Sequence, residues 1–242
     1  MHGRNMEFRS DMTVELVKHA ATDADVLFAA RVSTGAKTKA VDTLDGLSNA
    51  DAGLINFLMR DRHGSPFEHT SMTFYVEAPI FVVREFVRHR VGFSYNEESG
   101  RYKELQPVFY VPADGRPLRQ VGKPGAYSFE LGTYKQHMAV SGDIRRISTE
   151  AYGTYQRLLD LDVAREVARM VLPVNIYSSF YVTCNARSLM HFLSLRTTDE
   201  NSKFPSFPQQ EIEMVARQME DAFSLLMPRT WEAFQTHGRV AP

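Results

Sequence analysis

The sequence predicts an α+β fold, as one mixed domain in which strands and helices alternate without a fixed order. Three observations support this prediction. The chain has 242 residues, which is within the range of a single large domain. Stretches with period-two alternation are interspersed with stretches of helical spacing. We see no internal repeat or low-complexity tract, so we expect a single domain over residues 1–242.

The first elements are a strand over residues 13–17 and a helix over 23–32, followed by a polar loop over 33–48. Ser48 and Asp51 have the spacing of a capping box. A second helix is therefore expected to begin after Ser48 and to stop near residue 64.

The middle of the chain carries a strand, a helix and a polar loop. Residues 70–77 alternate between apolar and polar side chains, which predicts a half-buried strand. Pro79 suits the first position of a helix, which apolar spacing continues to His89 before Gly92 breaks the pattern. Residues 94–102 show no core pattern, so we expect a loop of the kind that carries binding sites.

The second half continues the mixed order. Its pattern predicts a strand near 109–111, a surface excursion over 115–125, a long helix over 129–159, a short helix over 163–173, a strand over 176–183 and helical turns within 185–196.

Composition excludes several classes of protein. Lys and Arg number 28 against 29 Asp and Glu, so no overall field attracts nucleic acid or an anionic membrane. No apolar run is long enough to span a bilayer, and the N-terminal residues form no apolar signal region, so we expect a cytoplasmic protein. The one cysteine, Cys184, lies in an apolar run, where we expect an inert thiol with a raised pKa.

Polar chemistry is most concentrated in the triplet Arg88, His89 and Arg90, together with residues 99–101. Arginine suits phosphate and ionised ring edges because its planar fork of donors matches two acceptor oxygens. This pattern favours an anion site. For the triplet alone, the alternative is a solvated helix end, where the helix dipole also favours cations.

The motif RHRVGFSYNEESGRY, which begins at Arg88, resembles the signature of flavin-dependent thymidylate synthases. Further similarity lies in HGSPFEH over 63–69, REVARMVLP over 165–173 and NARSLMHFLSLR over 185–196. The family pattern has seven residues between the triplet and its serine, whereas this chain has eight. We place the extra residue at Val91 or Gly92, where a glycine lets the loop bulge.

The resemblance implies reductive methylation of dUMP to dTMP by a methyltransferase. It implies 5,10-methylenetetrahydrofolate as the carbon donor and NADPH as the reductant, acting through FAD. It also implies a central, largely antiparallel sheet flanked by helices, and a homotetramer whose active sites are shared between subunits. Neither nucleic acid, membrane nor metal is expected as a partner.

The resemblance also implies roles for individual residues. The expected dUMP contacts are Glu85, Arg88, Glu98, Ser99, Gly100, Arg101, Arg169 and Arg196. The expected FAD contacts are Ser65, Arg88, His89, Arg90, Glu97, Asn185, Arg187 and His191. The catalytic group is expected to be His63, Ser99 and Arg196, with Arg196 favouring the N3-deprotonated form of uracil. The alternatives are a helix-end cation for Arg196 and a structural histidine for His63.

Two other classes of protein compete with the enzyme. A nucleic-acid-binding module would use the arginines with Tyr95 and Tyr102 as stacking partners, but Glu85, Glu97 and Glu98 lie between them. A structural component of an oligomer would use the arginines to bridge subunits. No glycine-rich dinucleotide motif follows a strand, so a Rossmann-type phosphate cradle is unsupported.

Overall fold

The computed structural model describes residues 5–35, 47–123 and 126–242. The strands are β1 (Glu7–Arg9), β2 (Thr13–Ala20), β3 (Ser71–Pro79), β4 (Phe93–Glu97), β5 (Val108–Tyr110), β6 (Pro117–Lys123), β7 (Ala126–Leu131) and β8 (Tyr177–Cys184). The helices are α1 (Asp23–Arg31), α2 (Asn49–Arg60), α3 (Ile80–Phe86), α4 (Tyr134–Asp160), α5 (Arg165–Ala168), α6 (Ala186–Arg196), α7 (Gln210–Leu226) and α8 (Pro228–Thr236). The predicted α+β class is confirmed.

The chain separates into two compact units. The first unit consists of Met1–Asp11, Ala78–Val83 and Glu98–Ser178. The second unit consists of Met12–Glu77, Arg84–Glu97 and Ser179–Pro242.

The second unit contains a four-stranded sheet in the order β2-β3-β8-β4. The β2–β3 and β4–β8 pairs are antiparallel, as expected. Phe86 lies at the centre of an aromatic core, with its ring stacked on Phe192 at 4.6 Å and edge-on to Phe180 at 5.4 Å. Burial of such large aromatic side chains is a major source of stability.

Polar caps fix the starts of the helices in the second unit. Ser48 and Asp51 form the predicted capping box at the start of α2. Asn185 caps α6, because its side-chain oxygen accepts a hydrogen bond from the Ser188 backbone N–H at 2.8 Å. Asp23 is fully buried and accepts hydrogen bonds from the first turn of α8, which ties α1 to that helix.

The first unit contains two small sheets and the long helix α4. Strands β1 and β5 pair in parallel, while β6 and β7 form an antiparallel hairpin. Its core includes Phe109, Ile176, Tyr152 and Tyr155. The two tyrosine hydroxyls are satisfied by the backbone of Leu105, since Tyr152 donates to its carbonyl at 3.0 Å and Tyr155 accepts from its N–H at 3.2 Å.

Several element predictions were wrong in extent. Residues 117–123 of the predicted surface excursion form strand β6, which pairs with β7 and includes Gly122 with φ of +98° opposite Tyr127. The long helix does not begin at residue 129; it begins after Thr133, whose side chain forms a capping box with Gln136. Residues 124–125, like most of the predicted loop over 33–48, lie outside the described residues.

The region around the arginine triplet also differs from its prediction. Pro79 ends β3 instead of opening the helix, which suits a residue that has no N–H to donate to a ladder. The helix stops at Phe86, and the N–H of His89 then donates to the Phe86 carbonyl at 3.0 Å in a tighter turn. Residues 93–97 form an edge strand rather than a loop.

Three other element boundaries differ from their predictions. The first predicted strand runs on to Ala20 across a bulge between Leu16 and Lys18. The helix over 163–173 is shorter than predicted, with α5 followed by a 3-10 turn over Arg169–Val171. The second helix ends at Arg60, before the expected stop.

Candidate active site

Arg196, at the end of α6, holds two side chains from the region that follows β3. Its Nη1 donates to Glu85 Oε2 at 2.8 Å, and its Nε donates to His89 Nε2 at 3.1 Å. Because a protonated imidazole has no acceptor, this arrangement requires a neutral His89 that carries its proton on Nδ1. Burial, followed by the charge of Arg196, lowers the pKa of His89 to about 4. The neutral form therefore prevails at physiological pH.

Glu85 is the anionic member of this group. Burial raises its pKa, the charge of Arg196 opposes that increase, and Glu211 adds to it. One carboxylate oxygen, Oε1, is buried and has no hydrogen-bond partner among the residues that the structure describes. A buried acceptor without a partner costs free energy, so Glu85 has spare capacity to accept a hydrogen bond.

The backbone of His89 is held by Tyr95 on β4. The Tyr95 hydroxyl lies 2.7 Å from the His89 carbonyl and 3.0 Å from the Phe86 carbonyl, and its hydrogen serves both. Burial raises the pKa of Tyr95, so it remains a donor. The ring of Phe192 meets the His89 imidazole edge-on at 4.9 Å. Both the backbone and the ring of His89 are thus fixed by packing.

A cavity of about 480 Å³ brings together five of the predicted FAD contacts, namely His89, Arg90, Asn185, Arg187 and His191. Arg187 also pairs with Glu68 at 2.5 Å, and Glu68 lines the same cavity. Burial, and after it the charge of Arg187, lowers the pKa of His191. Guanidinium, amide and imidazole donors suit the phosphates and polar ring edges of a dinucleotide cofactor, so this set of residues fits FAD.

Gly92 forms part of the wall of this cavity. Its φ is +69°, and a Cβ atom at this position would lie 2.0 Å from Ser188 Oγ and 3.0 Å from Asn185 Nδ2. Glycine is therefore required here for two reasons, a left-handed backbone and close packing against the start of α6. Gly92 is one of the two positions at which the extra residue of the motif is expected.

A second cavity, of about 620 Å³, contains two further predicted residues, His63 and Ser65. Its other walls are largely apolar, and the ring of Phe57 lies 5.5 Å from the His63 imidazole. The structure thus distributes the predicted FAD contacts over two cavities of the second unit. Arg88 and Glu97 line neither of them.

In the first unit, the predicted dUMP contacts form a group of their own. Ser99 Oγ accepts from the Arg101 N–H at 3.2 Å, and a Cβ on Gly100 would lie 3.3 Å from Arg169 Cδ. Arg101 pairs with Glu166 on α5 at 3.0 Å, with both side chains about half exposed. Glu98, next in the chain, pairs with Lys103.

Three residues that support the site were missed in the sequence. Tyr95 was given a role only in the nucleic-acid alternative, and Glu68 and Ser188 lay inside the recognised motifs without an assigned role. A signal existed only for Glu68, since a carboxylate within HGSPFEH is a ready partner for an arginine.

Cys184 has the predicted inert character. It is a free cysteine, buried in β8, and burial raises the pKa of its thiol to about 12. Such a thiol is not ionised near neutral pH, so it is unsuited to nucleophilic attack.

In residues 5–35, 47–123 and 126–242, no helix is both long enough and apolar enough to cross a membrane. Within the same part of the chain, no group of three or more His, Cys, Asp or Glu side chains is arranged to hold a metal ion.

Comparison with known proteins gives consistent matches. The model of the family "Thymidylate synthase complementing protein" matches residues 15–229. Flavin-dependent thymidylate synthase from Streptomyces coelicolor is 63% identical over 237 residues, which cover 98% of this chain and 96% of that protein. Flavin-dependent thymidylate synthase from Tropheryma whipplei is 60% identical over 235 residues, which cover 97% of both chains.

Solved structures give a similar result. The UMP/dUMP methylase PolB from Streptomyces cacaoi bound with 5-Br dUMP superposes with a TM-score of 0.90 at 56% identity. The match covers 98% of this chain and 100% of that one. The same enzyme bound with 5-Br UMP has a TM-score of 0.89 at 55% identity. None of these proteins is described as a nucleic-acid-binding module.

Proposed function

The chain belongs to the family of flavin-dependent thymidylate synthases, and on that premise we propose that it converts dUMP to dTMP by reductive methylation. The observation that carries the proposal is the group of Glu85, His89 and Arg196. One guanidinium bonds a residue expected to contact dUMP and a residue expected to contact FAD. A nucleotide substrate is also supported by the bromo-dUMP bound to the related PolB.

In this proposal, the cavity that contains His89, Arg90 and Arg187 holds FAD. Bound flavin supplies hydride chemistry, with NADPH as the source of electrons and 5,10-methylenetetrahydrofolate as the source of carbon. The protein supplies orientation and charge. This division of labour is general for cofactor enzymes, in which the cofactor carries the chemistry that side chains lack.

Arg196 acts on the uracil ring of dUMP. Its guanidinium stabilises the negative charge on the ring when N3 loses its proton, because arginine remains charged at any pH the enzyme meets. A neutral His89 beside it adds no competing positive charge. Glu85 holds the fork in place at 2.8 Å and limits its rotation.

The predicted contacts Ser99, Gly100, Arg101 and Arg169 remain proposed contacts of dUMP. Ser99 and Gly100 offer a hydroxyl and backbone atoms, while Arg101 and Arg169 offer cationic donors. Arg101 pairs with Glu166, an exposed contact that a phosphate can displace at small cost. Glu98 and Arg88 are proposed to complete the dUMP contacts, and Glu97 and Ser65 those of FAD.

We also propose a single domain, a homotetramer with shared active sites and a cytoplasmic location. A shared site is reasonable because one chain must otherwise enclose FAD, dUMP and folate together. Light scattering of the purified protein at several concentrations tests the tetramer, and a stable monomer with full activity would contradict it.

The first experiment is a visible absorbance spectrum of the protein after incubation with FAD and desalting, with and without dUMP. Retained flavin bands that shift with dUMP support a shared site, and dTMP formation with methylenetetrahydrofolate and NADPH then completes the test. Arg196→Lys keeps the charge but loses the fork, so kcat should fall more than the affinity for dUMP. Arg60→Lys, at an exposed pair with Asp61, is the matched control. Absence of retained flavin would refute the proposal.

A further inference from the structure

Arg239, near the C-terminal end of the described chain, is a charged residue whose side chain is fully buried in the second unit. Its Nη1 donates to Glu220 Oε1 at 2.6 Å, and its Nη2 donates to Glu220 Oε2 at 3.1 Å. The backbone of Arg239 has φ of +55°, a left-handed conformation that non-glycine residues rarely adopt. A residue held in this way is strongly constrained by its surroundings.

Arg239 contacts the last turn of α6 from two directions. Its Nη2 donates to Thr197 Oγ1 at 2.7 Å, and its carbonyl oxygen accepts from Ser194 Oγ at 2.6 Å. Thr197 in turn donates through Oγ1 to the Leu193 carbonyl at 2.7 Å. Helix ends fray unless their free carbonyl groups find hydrogen-bond partners. Here Thr197 bonds the Leu193 carbonyl, and Arg239 holds both Thr197 and Ser194.

Arg196 lies within this turn, between the two residues that Arg239 contacts. We propose that Arg239 is a positioning residue that fixes the direction of Arg196 by holding Ser194 and Thr197. The expected effect of Arg239 on turnover rests on the proposed function. Its expected effect on the direction of the Arg196 side chain rests only on the hydrogen bonds at the end of α6. Arg239 has no assigned role in either the substrate or the flavin site.

The composition of the cluster argues for more than stability. Glu220 also accepts hydrogen bonds from Trp231 and Gln235, both at 3.2 Å, so it is satisfied from several sides. A buried ion pair is often no more stable than a well-packed apolar pair of the same volume. What a guanidinium adds is a planar fork that reaches Glu220 and Thr197 at once. That geometry couples α7 to the end of α6.

Replacing Arg239 itself would leave the buried Glu220 with only the longer ion pair to Arg217 at 3.4 Å and risks unfolding the chain. The test therefore uses Thr197, which is buried and accepts the hydrogen bond from Arg239 through its hydroxyl. Thr197→Val keeps the shape and removes the hydroxyl, whereas Thr197→Ser keeps the hydroxyl and removes a methyl group. Thr198→Val is the matched control, because Thr198 is exposed and bonds Glu213 instead.

Two readouts separate the inference from the proposed function. The first is kcat and KM for dUMP, in the enzyme with FAD bound. Thr197→Val should lower kcat about tenfold or more with a smaller change in KM, since small displacements of a positioned group cost large factors in rate. Thr197→Ser and Thr198→Val should retain the wild-type kcat. A role confined to packing of the Thr197 methyl group predicts the reverse, with the serine variant the more impaired.

The second readout does not depend on activity. The ¹⁵N chemical shifts of the His89 ring, assigned with a His89→Gln variant, report whether Nε2 still accepts from Arg196. They should change in Thr197→Val and remain in Thr197→Ser. Unchanged shifts and unchanged kcat in Thr197→Val would overturn the inference. Changed shifts in a protein that makes no dTMP would support it while refuting the proposed function.

Discussion

Replacement of Gly92 by alanine tests whether the left-handed backbone at this position shapes the proposed flavin cavity. The added Cβ would lie 2.0 Å from Ser188 Oγ and 3.0 Å from Asn185 Nδ2, well inside van der Waals contact. The backbone φ of +69° is an independent difficulty, because a side chain disfavours this region. Ser188 and Asn185 line the same cavity as Gly92, so movement of either deforms it.

The two effects have separate magnitudes. A left-handed conformation costs an alanine about 1 kcal/mol relative to glycine. Overpacking of a filled site costs about 1–3 kcal/mol. The free energy of unfolding of Gly92→Ala should therefore fall by about 2–4 kcal/mol, measured by urea denaturation of the flavin-free protein. The affinity for FAD should fall about tenfold or more. A tenfold loss corresponds to about 1.4 kcal/mol of binding free energy, which is less than the expected cost of the distortion.

A second substitution separates the clash from the backbone strain. In Gly92→Ala with Ser188→Ala, the nearest clashing atom is gone, so about 1–3 kcal/mol should return while the backbone cost remains. Gly53→Ala is the control: Gly53 lies in α2 with open space around its Cα, and alanine there should stabilise by about 0.5–1 kcal/mol. If Gly92→Ala unfolds like the wild type and binds FAD equally well, the reasoning is wrong.

Three further predictions concern Glu85, His89 and Asp23. Glu85→Gln removes the charge opposite Arg196 in a pair whose side chains are 25% and 21% exposed, so kcat/KM for dUMP should fall about tenfold; an unchanged value would show that the pair is dispensable. The pKa of His89 is about 4 in the folded chain against a usual 6.5. The contribution of neutral His89 to the free energy of unfolding is therefore fully present above pH 6.5 and is lost as the pH falls towards 4. In His89→Gln, the free energy of unfolding should depend less on pH between 6.5 and 4 than in the wild type. An equal pH dependence in the two proteins would argue against a buried neutral imidazole. Asp23→Ala removes three hydrogen bonds of 2.6 to 2.9 Å at the start of α8 and should cost about 3 kcal/mol in urea denaturation; a loss below about 0.5 kcal/mol would contradict it.

The fold was predictable wherever a local signal decided the structure. The capping box at Ser48 and Asp51 fixed the start of α2 correctly, because both partners lie within one turn. The β6–β7 pair was missed, since Gly122 was interpreted as a loop marker, whereas it pairs with Tyr127 inside the ladder. The strand at residues 93–97 was missed because most of its side chains are polar and exposed, which is common in a strand at the edge of a sheet.

The residues of the proposed site could be named from the sequence, whereas the contacts between them could not. Arg196, Glu85 and His89 were identified through the family resemblance, but their shared hydrogen bonds join positions more than 100 residues apart in the chain. No periodicity in the sequence encodes that. The part played by Arg239 is equally hidden, because a lone arginine after a helix usually indicates a solvated surface, whereas here it is fully buried.

Trp231 gives the protein a built-in optical probe. It is the one tryptophan in the sequence, and its indole N–H donates to Glu220 Oε1 at 3.2 Å. Indole emission responds to nearby charge and to hydration. Fluorescence excited at the red edge of the tryptophan band, away from the ten tyrosines, therefore reports on the surroundings of a single buried carboxylate without any label. Stopped-flow recordings of that fluorescence during refolding would measure the rate at which α7 and α8 pack against each other.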